Sequence, residues 1–181
     1  MGFGEAAVRI AQDLTQAGLA DIVAYSPSGA KAPADSPLHQ RAAAAGAQLV
    51  ATPRELCKRS DVIIALTPGR AALAAVRSVR KHLRADHIYV DASSVAVKTM
   101  EQAARILEGR AHFVDAAIMS PVPLNGIKAV MMTSGGEAER FRALPAPYGM
   151  NIKVVSAKPG AASAMKLIRS ACMKWPTRWP C

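Results

Sequence analysis

Val62-Ile63-Ile64-Ala65-Leu66 carries no polar side chain on either face. A strand with one face in water alternates apolar and polar residues. One that is apolar throughout is buried on both faces, as in a parallel sheet covered by helices. The flanks agree with that reading. Ahead of the run, Thr52-Pro53-Arg54-Glu55 is a compact helix start: Thr52 can cap, Pro53 sits where its missing N–H costs little, and Glu55 closes a capping box. Behind it, Gly69 to Arg84 is a helical window with Leu73, Val76, Val79 and Leu83 on one side. Arg70, Arg77, Arg80, Lys81 and Arg84 fall largely on the other.

The same alternation runs along the chain. Glu5 to Ala17 reads as a helix with Ala7, Ile10, Ala11 and Leu14 inward, stopped by Gly18, and Ile22 to Tyr25 reads as a strand. A breaker-rich loop follows from Ser26 through Pro37. Leu38 to Ala45 is helical, Ala47 to Val50 and Ile88 to Val90 are strands, and Val95 to Glu108 is a helix ended by Gly109. Phe113-Val114, Ala129 to Met132 and Ile152 to Val155 supply three more strands, and Ala161 to Met173 a final helix. Strands alternating with helices predict an α/β fold with a mostly parallel, doubly wound sheet of the Rossmann type.

Composition bounds the function classes. A chain of 181 residues, 51% hydrophobic and 20% charged, is too apolar for wholesale disorder. No stretch approaches the ~18 consecutive apolar residues of a spanning helix, so no membrane partner is expected. Met1 to Ala7 lacks the basic-then-apolar layout of a secretory signal. Cys57, Cys172 and Cys181 are odd in number and widely spaced, which argues for a reducing compartment, by default the cytoplasm. The net charge of +10 suggests nucleic acid first, but aromatics are only 4% and the cations are scattered. The densest group makes a solvated helix face, so no nucleic-acid partner is expected, and attraction of an anionic ligand is a further use of the charge. His39, His82, His87 and His112 do not combine with the cysteines at metal-ligand spacing, and no metal is expected. Cys57 lies on the apolar side of its short helix and reads as core.

One motif points to a ligand. Gly2-Phe3-Gly4-Glu5-Ala6-Ala7 fits the dinucleotide pattern G-x-G-x-x-G/A at the start of a helix. Glycines there permit a tight turn and let the backbone approach a pyrophosphate, which the helix N-terminus attracts. An acidic residue that grips a ribose 2′-hydroxyl belongs after the second strand. None stands after Tyr25; Ser26, Ser28 and Lys31 do. Hydroxyls with a cation suit a 2′-phosphate, so NADP is expected in preference to NAD, although Ser26 and Ser28 also serve as plain turn residues.

Further matches lie at strand ends, where open α/β sheets place their ligands. Leu66-Thr67-Pro68, Asp91-Ala92-Ser93-Ser94 and Val114-Asp115-Ala116-Ala117 each end a strand, and Gly160-Ala161-Ala162-Ser163-Ala164-Met165-Lys166 opens the last helix. From residue 2 to about 173 this order resembles the β-hydroxyacid dehydrogenase superfamily, which includes 3-hydroxyisobutyrate and 6-phosphogluconate dehydrogenases. The resemblance implies a hydride passing between a nicotinamide and a small hydroxyacid-like substrate. It makes Lys166 catalytic, with Ser170 in the catalytic-helix neighbourhood, and Ser94 a contact near the nicotinamide. It places Gly2, Phe3, Gly4, Glu5, Ala6, Ser26, Ser28, Lys31, Leu66, Thr67 and Pro68 around the cofactor.

The chain departs from the family at the substrate loop, usually Asp-Ala-Pro-Val-Ser-Gly-Gly. Here it reads Asp115-Ala116-Ala117-Ile118-Met119-Ser120-Pro121. Met119 and Ser120 take the substrate-facing places, and Pro121 has no N–H to offer. Arg169 and Ser170 stand where the family carries an asparagine, and Lys-x-x-His-Asn is absent, which disfavours 6-phosphogluconate itself. The pattern is closest to a less-characterised subgroup similar to 6-phosphogluconate dehydrogenase.

The resemblance also implies missing parts. Gly2-Phe3-Gly4 reads as a turn after a first strand that the chain lacks, and the family's C-terminal all-helical domain, which completes the cleft and a homodimer, would begin where the chain stops. The expected organisation is an NADP-binding unit over 1–160, the start of an interdomain helix over 161–173 and an atypical tail over 174–181, where Trp175, Pro176, Trp179 and Pro180 gather. Such a chain is expected to fold weakly by itself and to show no turnover. The alternative reading is a non-catalytic dinucleotide-binding or interaction module.

Overall fold

Each apolar run identified above becomes a strand, and the strands separate into two groups. The computed structural model describes residues 1–174; the tail expected from Trp175 onward lies outside the described residues. The first group is a parallel pair, β1 (Ile22–Ala24) with β2 (Ala47–Leu49). The second is a five-stranded sheet, β3 (Val62–Ala65), β4 (Ile88–Asp91), β5 (His112–Ile118), β6 (Met131–Ser134) and β7 (Ile152–Ser156), in that spatial order. Strands β3 to β5 are parallel, β6 runs antiparallel to β5, and β7 runs parallel to β6. This is the doubly wound α/β architecture with a mostly parallel sheet.

Strand β3 shows why its sequence is apolar on both faces. Ile63 and Ala65 enter the cluster beneath α4 (Pro53–Lys58), α5 (Ala72–Arg80) and α6 (Val97–Leu107), where Leu56, Val76, Val79, Met100 and Leu107 are buried. Val62 and Ile64 pack on the opposite cluster with Val90, Val114 and Phe141, the last from α8 (Ala138–Ala143). Each such side chain fully removed from water contributes about 1.5–3 kcal/mol. The sheet therefore lies between two helical layers.

A gap separates the two groups of strands. Strands β1 and β3 face one another without pairing, and a slot of about 530 Å³ lies between them, lined by Ile22, Val23, Val62 and Ile63 among others. Among the described residues, Met1 and Gly2 span it. The Met1 amine donates to the Ile64 carbonyl at 2.5 Å, Leu66 N–H donates to the Met1 carbonyl at 2.8 Å, and Gly2 N–H donates to the Tyr25 carbonyl at 2.8 Å.

The structure differs from the sequence reading at several elements. The segment read as loop from Ser26 to Pro37 holds a short helix, α2 (Pro27–Lys31), because Ser26 Oγ accepts from Gly29 N–H at 3.0 Å and Pro27 begins the first turn. It leads to α3 (Pro37–Ala44). The window from Gly69 to Arg84 starts as a 3₁₀ turn, Gly69–Ala71, and is α-helical over Ala72–Arg80. Strand β5 extends well beyond Phe113-Val114, because Asp115 finds buried hydrogen-bond partners and the chain can stay in the sheet. The short helices α7 (Val122–Asn125) and α8 carry no clear periodicity. The chain opens with α1 (Glu5–Gln16) and closes with α9 (Ala161–Lys174).

Candidate functional site

The turn before α1 depends on two glycines for different reasons. Gly2 has φ of +79°, and a Cβ there would stand 2.5 Å from the Leu66 carbonyl oxygen, so the chain's own backbone demands glycine. Gly4 is the N-cap of α1 with ordinary φ, and a Cβ there would meet no protein atom within 4 Å. Its smallness answers to no internal packing. It faces a cleft of about 890 Å³ at the carboxyl ends of β1, β3 and β4. Such an opening, with a 12-residue helix starting at its edge, fits a dinucleotide whose phosphates approach the backbone.

The cleft gathers most of the residues singled out in the sequence. Gly2, Phe3, Gly4, Glu5 and Ala6 line it beside Ser26 and Ser28, and Leu66, Thr67, Pro68, Ser94, Ser120 and Lys166 complete it. Three residues stand outside that lining. Lys31 is exposed at the end of α2, Ser170 is exposed on α9, and Met119 directs its N–H to the Val130 carbonyl at 2.8 Å. Ser26 is buried and occupied in capping α2, at 3.3 Å from Ser28 Oγ, whereas Ser28 is exposed.

Side-chain contacts knit the strand ends together. Thr67 Oγ1 and Ser93 Oγ lie 3.0 Å apart, joining the ends of β3 and β4, and Asp91 Oδ1 accepts Ser93 N–H at 2.9 Å. Ser94, the next residue, accepts a 2.8 Å hydrogen bond from Lys166 Nζ. Burial, and then the neighbouring Arg169 guanidinium, hold the Lys166 ammonium below its usual range. Burial pushes the Asp91 carboxyl up, with Asp115 adding to the effect. Asp115 is its register partner on β5. Arg169 donates to the Met119 carbonyl, so α9 reaches the loop that follows β5. Cys57 is buried and its thiol is pushed up to about 11, which keeps it from nucleophilic use.

Two features were not readable from the sequence. The Arg169 contact joins residues 50 positions apart, and no local pattern announces it. Asp115, Ser134 and Ser163 form a buried cluster; Asp115 and Ser163 each fall in segments that the sequence singled out, but no sequence pattern shows that they meet.

Comparison with known proteins fits this geometry. Residues 32–134, more than half of the chain, match the prephenate dehydrogenase nucleotide-binding domain. The chain belongs to that family. Its structural neighbours place it more broadly with the 3-hydroxyacid dehydrogenase-like proteins, within the 6-phosphogluconate dehydrogenase-like superfamily. A conserved hypothetical protein from Sinorhizobium meliloti superposes with a TM-score of 0.90 at 32% identity, covering 96% of this chain and 58% of that one. A conserved protein of unknown function, described as structurally similar to 3-hydroxyacid dehydrogenases, gives 0.80 at 33% identity, covering 96% and 62%. An imine reductase from Myxococcus stipitatus, solved with NADP⁺, shares the fold at a TM-score of 0.76 and 24% identity, covering 95% and 59%. An uncharacterized 28.5 kDa protein of Methanothermus fervidus is 30% identical over 121 residues, 67% of this chain and 45% of its own length. The chain thus spans about half to three-fifths of the length of these relatives. Members of the prephenate dehydrogenase nucleotide-binding domain family carry a dinucleotide-type fold, and the cleft described above occupies the place such a fold offers a ligand.

Proposed function

We propose that the cleft holds NADP and serves an oxidoreductase that moves a hydride between the nicotinamide and a carbon of a small hydroxyacid-like substrate. The observation that carries this reading is the Lys166 Nζ to Ser94 Oγ hydrogen bond of 2.8 Å, which sets an amine at the cleft. The bound nicotinamide supplies the hydride acceptor or donor. The chain's own residues do the rest. The backbone from Gly2 to Ala6 would receive the phosphates, and Ser28, with Lys31 from the end of α2, would hold the 2′-phosphate. Ser94 accepts from Lys166 and would hold its amine where a substrate hydroxyl enters the cleft. In the oxidation direction the substrate hydroxyl gives its proton to the Lys166 amine as the hydride leaves the carbon, and a carbonyl results; reduction reverses both transfers. Half-burial beside Arg169 favours the neutral amine, as a base working near neutrality requires.

On this reading residues 1–160 are the NADP-binding unit and 161–173 begin an interdomain helix, on which Leu167 and Ile168 expose apolar side chains to a covering partner element. Met119 and Ser120 border the substrate, and Ser170 adds a hydroxyl on the same helix. The deciding experiment is Lys166→Ala in a fusion of this chain to a helical domain of the family. Turnover should fall by ~10²–10⁴-fold with NADPH affinity held within about threefold. Undiminished turnover would overturn the catalytic role. Tight NADPH binding with no turnover in the parent protein under any hydroxyacid would indicate a non-catalytic dinucleotide module instead.

A further inference from the structure

We propose that Asp115 is the positioning residue for Lys166: its buried carboxylate fixes the first turn of α9 and thereby sets where the lysine amine stands. The inference rests on the catalytic reading of Lys166 for its consequence, but not for its geometry.

Helix α9 has no cap of its own. Gly160 precedes it without a side chain, and its φ of +95°, with Val97 Cγ1 2.8 Å from where a Cβ would be, keeps that position glycine. The Ala161 N–H donates to the Lys158 carbonyl at 3.5 Å, and the next two N–H groups of the first turn need acceptors from elsewhere in the fold. The sheet provides them. Asp115 Oδ2 accepts Ser163 N–H at 3.0 Å and the Ser134 hydroxyl at 3.0 Å, while Asp115 Oδ1 accepts the Ser163 hydroxyl at 2.6 Å. Ser134 Oγ in turn accepts Ala162 N–H at 3.1 Å. Asp115 and Ser134 are register partners across β5 and β6, so the acceptors come from the rigid centre of the sheet.

This attachment is where the described part of α9 is held most closely. Ala162 and Ser163 are buried, whereas Leu167 and Ile168 are 49% and 64% exposed. Lys166 follows Ser163 by three residues, so the two share a face and any displacement at Ser163 is passed to the lysine over less than one turn. A carboxylate that touches neither Lys166 nor Ser94 thus controls the distance between them.

The test reads Lys166 directly in the 181-residue chain. Lysines are ¹³C-dimethylated, the Lys166 signal is assigned by its loss in Lys166→Arg, and its titration is followed by NMR. In Asp115→Ala the Lys166 titration should move up toward that of an ordinary lysine, because the burial that lowers it is lost. The Ala162 and Ser163 amides should exchange at least tenfold faster. Asp115→Asn should restore both readouts, since Oδ1 can still accept Ser163 N–H and the amide can donate to Ser163 Oγ. If Asp115→Ala does not fold, Ser163→Ala, which removes only the 2.6 Å bond, should show a smaller change in the same direction. A folded variant with an unaltered Lys166 titration would overturn the proposal. These readouts need no turnover, so a well-positioned but idle lysine would refute the catalytic reading and leave this inference standing.

Discussion

Lys166 Nζ and Ser94 Oγ meet at 2.8 Å across 72 residues of sequence, joining the last helix to the end of β4. The Arg169 guanidinium stands near enough to lower the same ammonium, after burial. Removing that charge should release part of the effect. In the hydroxyl-oxidation direction, turnover of the fusion that carries a helical domain should rise with pH as Lys166 deprotonates, and Arg169→Ala should move that limb to higher pH. A pH–rate profile of both forms checks it; coincident limbs would show that the limb belongs to another group.

The two glycines before α1 should separate stability from binding. Gly2→Ala places a Cβ against the Leu66 carbonyl at a left-handed φ, costing at least ~1–2 kcal/mol and several degrees of melting temperature. Gly4→Ala meets no protein atom, so its melt should be nearly unchanged while NADPH affinity falls about tenfold or more. Calorimetry and nucleotide titration on the same samples distinguish them. Unchanged NADPH affinity in Gly4→Ala would remove the phosphate-approach argument.

NADPH should bind at least tenfold more tightly than NADH. One charge-assisted contact to a 2′-phosphate contributes on the order of 1.5–3 kcal/mol, and no carboxylate follows Tyr25 to favour the 2′-hydroxyl. Of Ser26 and Ser28, Ser28 is the exposed one at the cleft, so Ser28→Ala should erode the preference more than Ser26→Ala, whose side chain is engaged in capping α2. Fluorescence titration with both nucleotides decides it; equal affinities in the parent chain would count against the assignment.

The slot between β1 and β3 makes a prediction for the 181-residue chain. Met1 is half-buried as a residue, but its amine is enclosed between strand ends, and burial holds its pKa down to about 5. The unfolded amine titrates near ~8, so between these values the unfolded state binds more protons. Stability should therefore be full above pH ~8 and fall as pH drops toward 5, by on the order of 2–4 kcal/mol. An engineered extension of about six β-forming residues ahead of Met1 turns this amine into an amide and gives both open ladders a partner. Urea melts across pH should show the slope vanish, and the melting temperature should rise by ~2–4 °C per kilocalorie gained. A sharp melt, indifferent to both pH and extension, would contradict this account of the slot.

Much of the architecture was legible in the sequence because it depends on local periodicity. The two-faced apolar run at Val62 to Leu66 named a buried parallel strand, and Thr52 Oγ1 does accept from Glu55 N–H at 3.1 Å, although the Glu55 carboxylate accepts Ala51 N–H at 3.3 Å and not the Thr52 N–H that would close a capping box. Helix α2 escaped notice because Pro27 and Gly29 are breakers in isolation; the Ser26 cap turns the same residues into a helix start. Helices α7 and α8 are too short to show a period. The glycine pair was visible as a motif, but its two glycines looked alike. The fold assigned one to the Leu66 carbonyl and left the other to the cleft.

The sequence by itself determined the strands and the longer helices, and which residue types stand at their ends, since burial of a periodic apolar face is decided within a dozen residues. Only the tertiary structure decided which of those ends meet. That Asp115 of β5 would hold Ser163 of α9, and that Lys166 one turn later would reach Ser94 of β4, depends on strand order and register. Hydrogen bonds between residues 48 and 72 positions apart leave no periodic trace. They exist because a buried carboxylate and an uncapped helix each needed partners, and the packed sheet brought the two together.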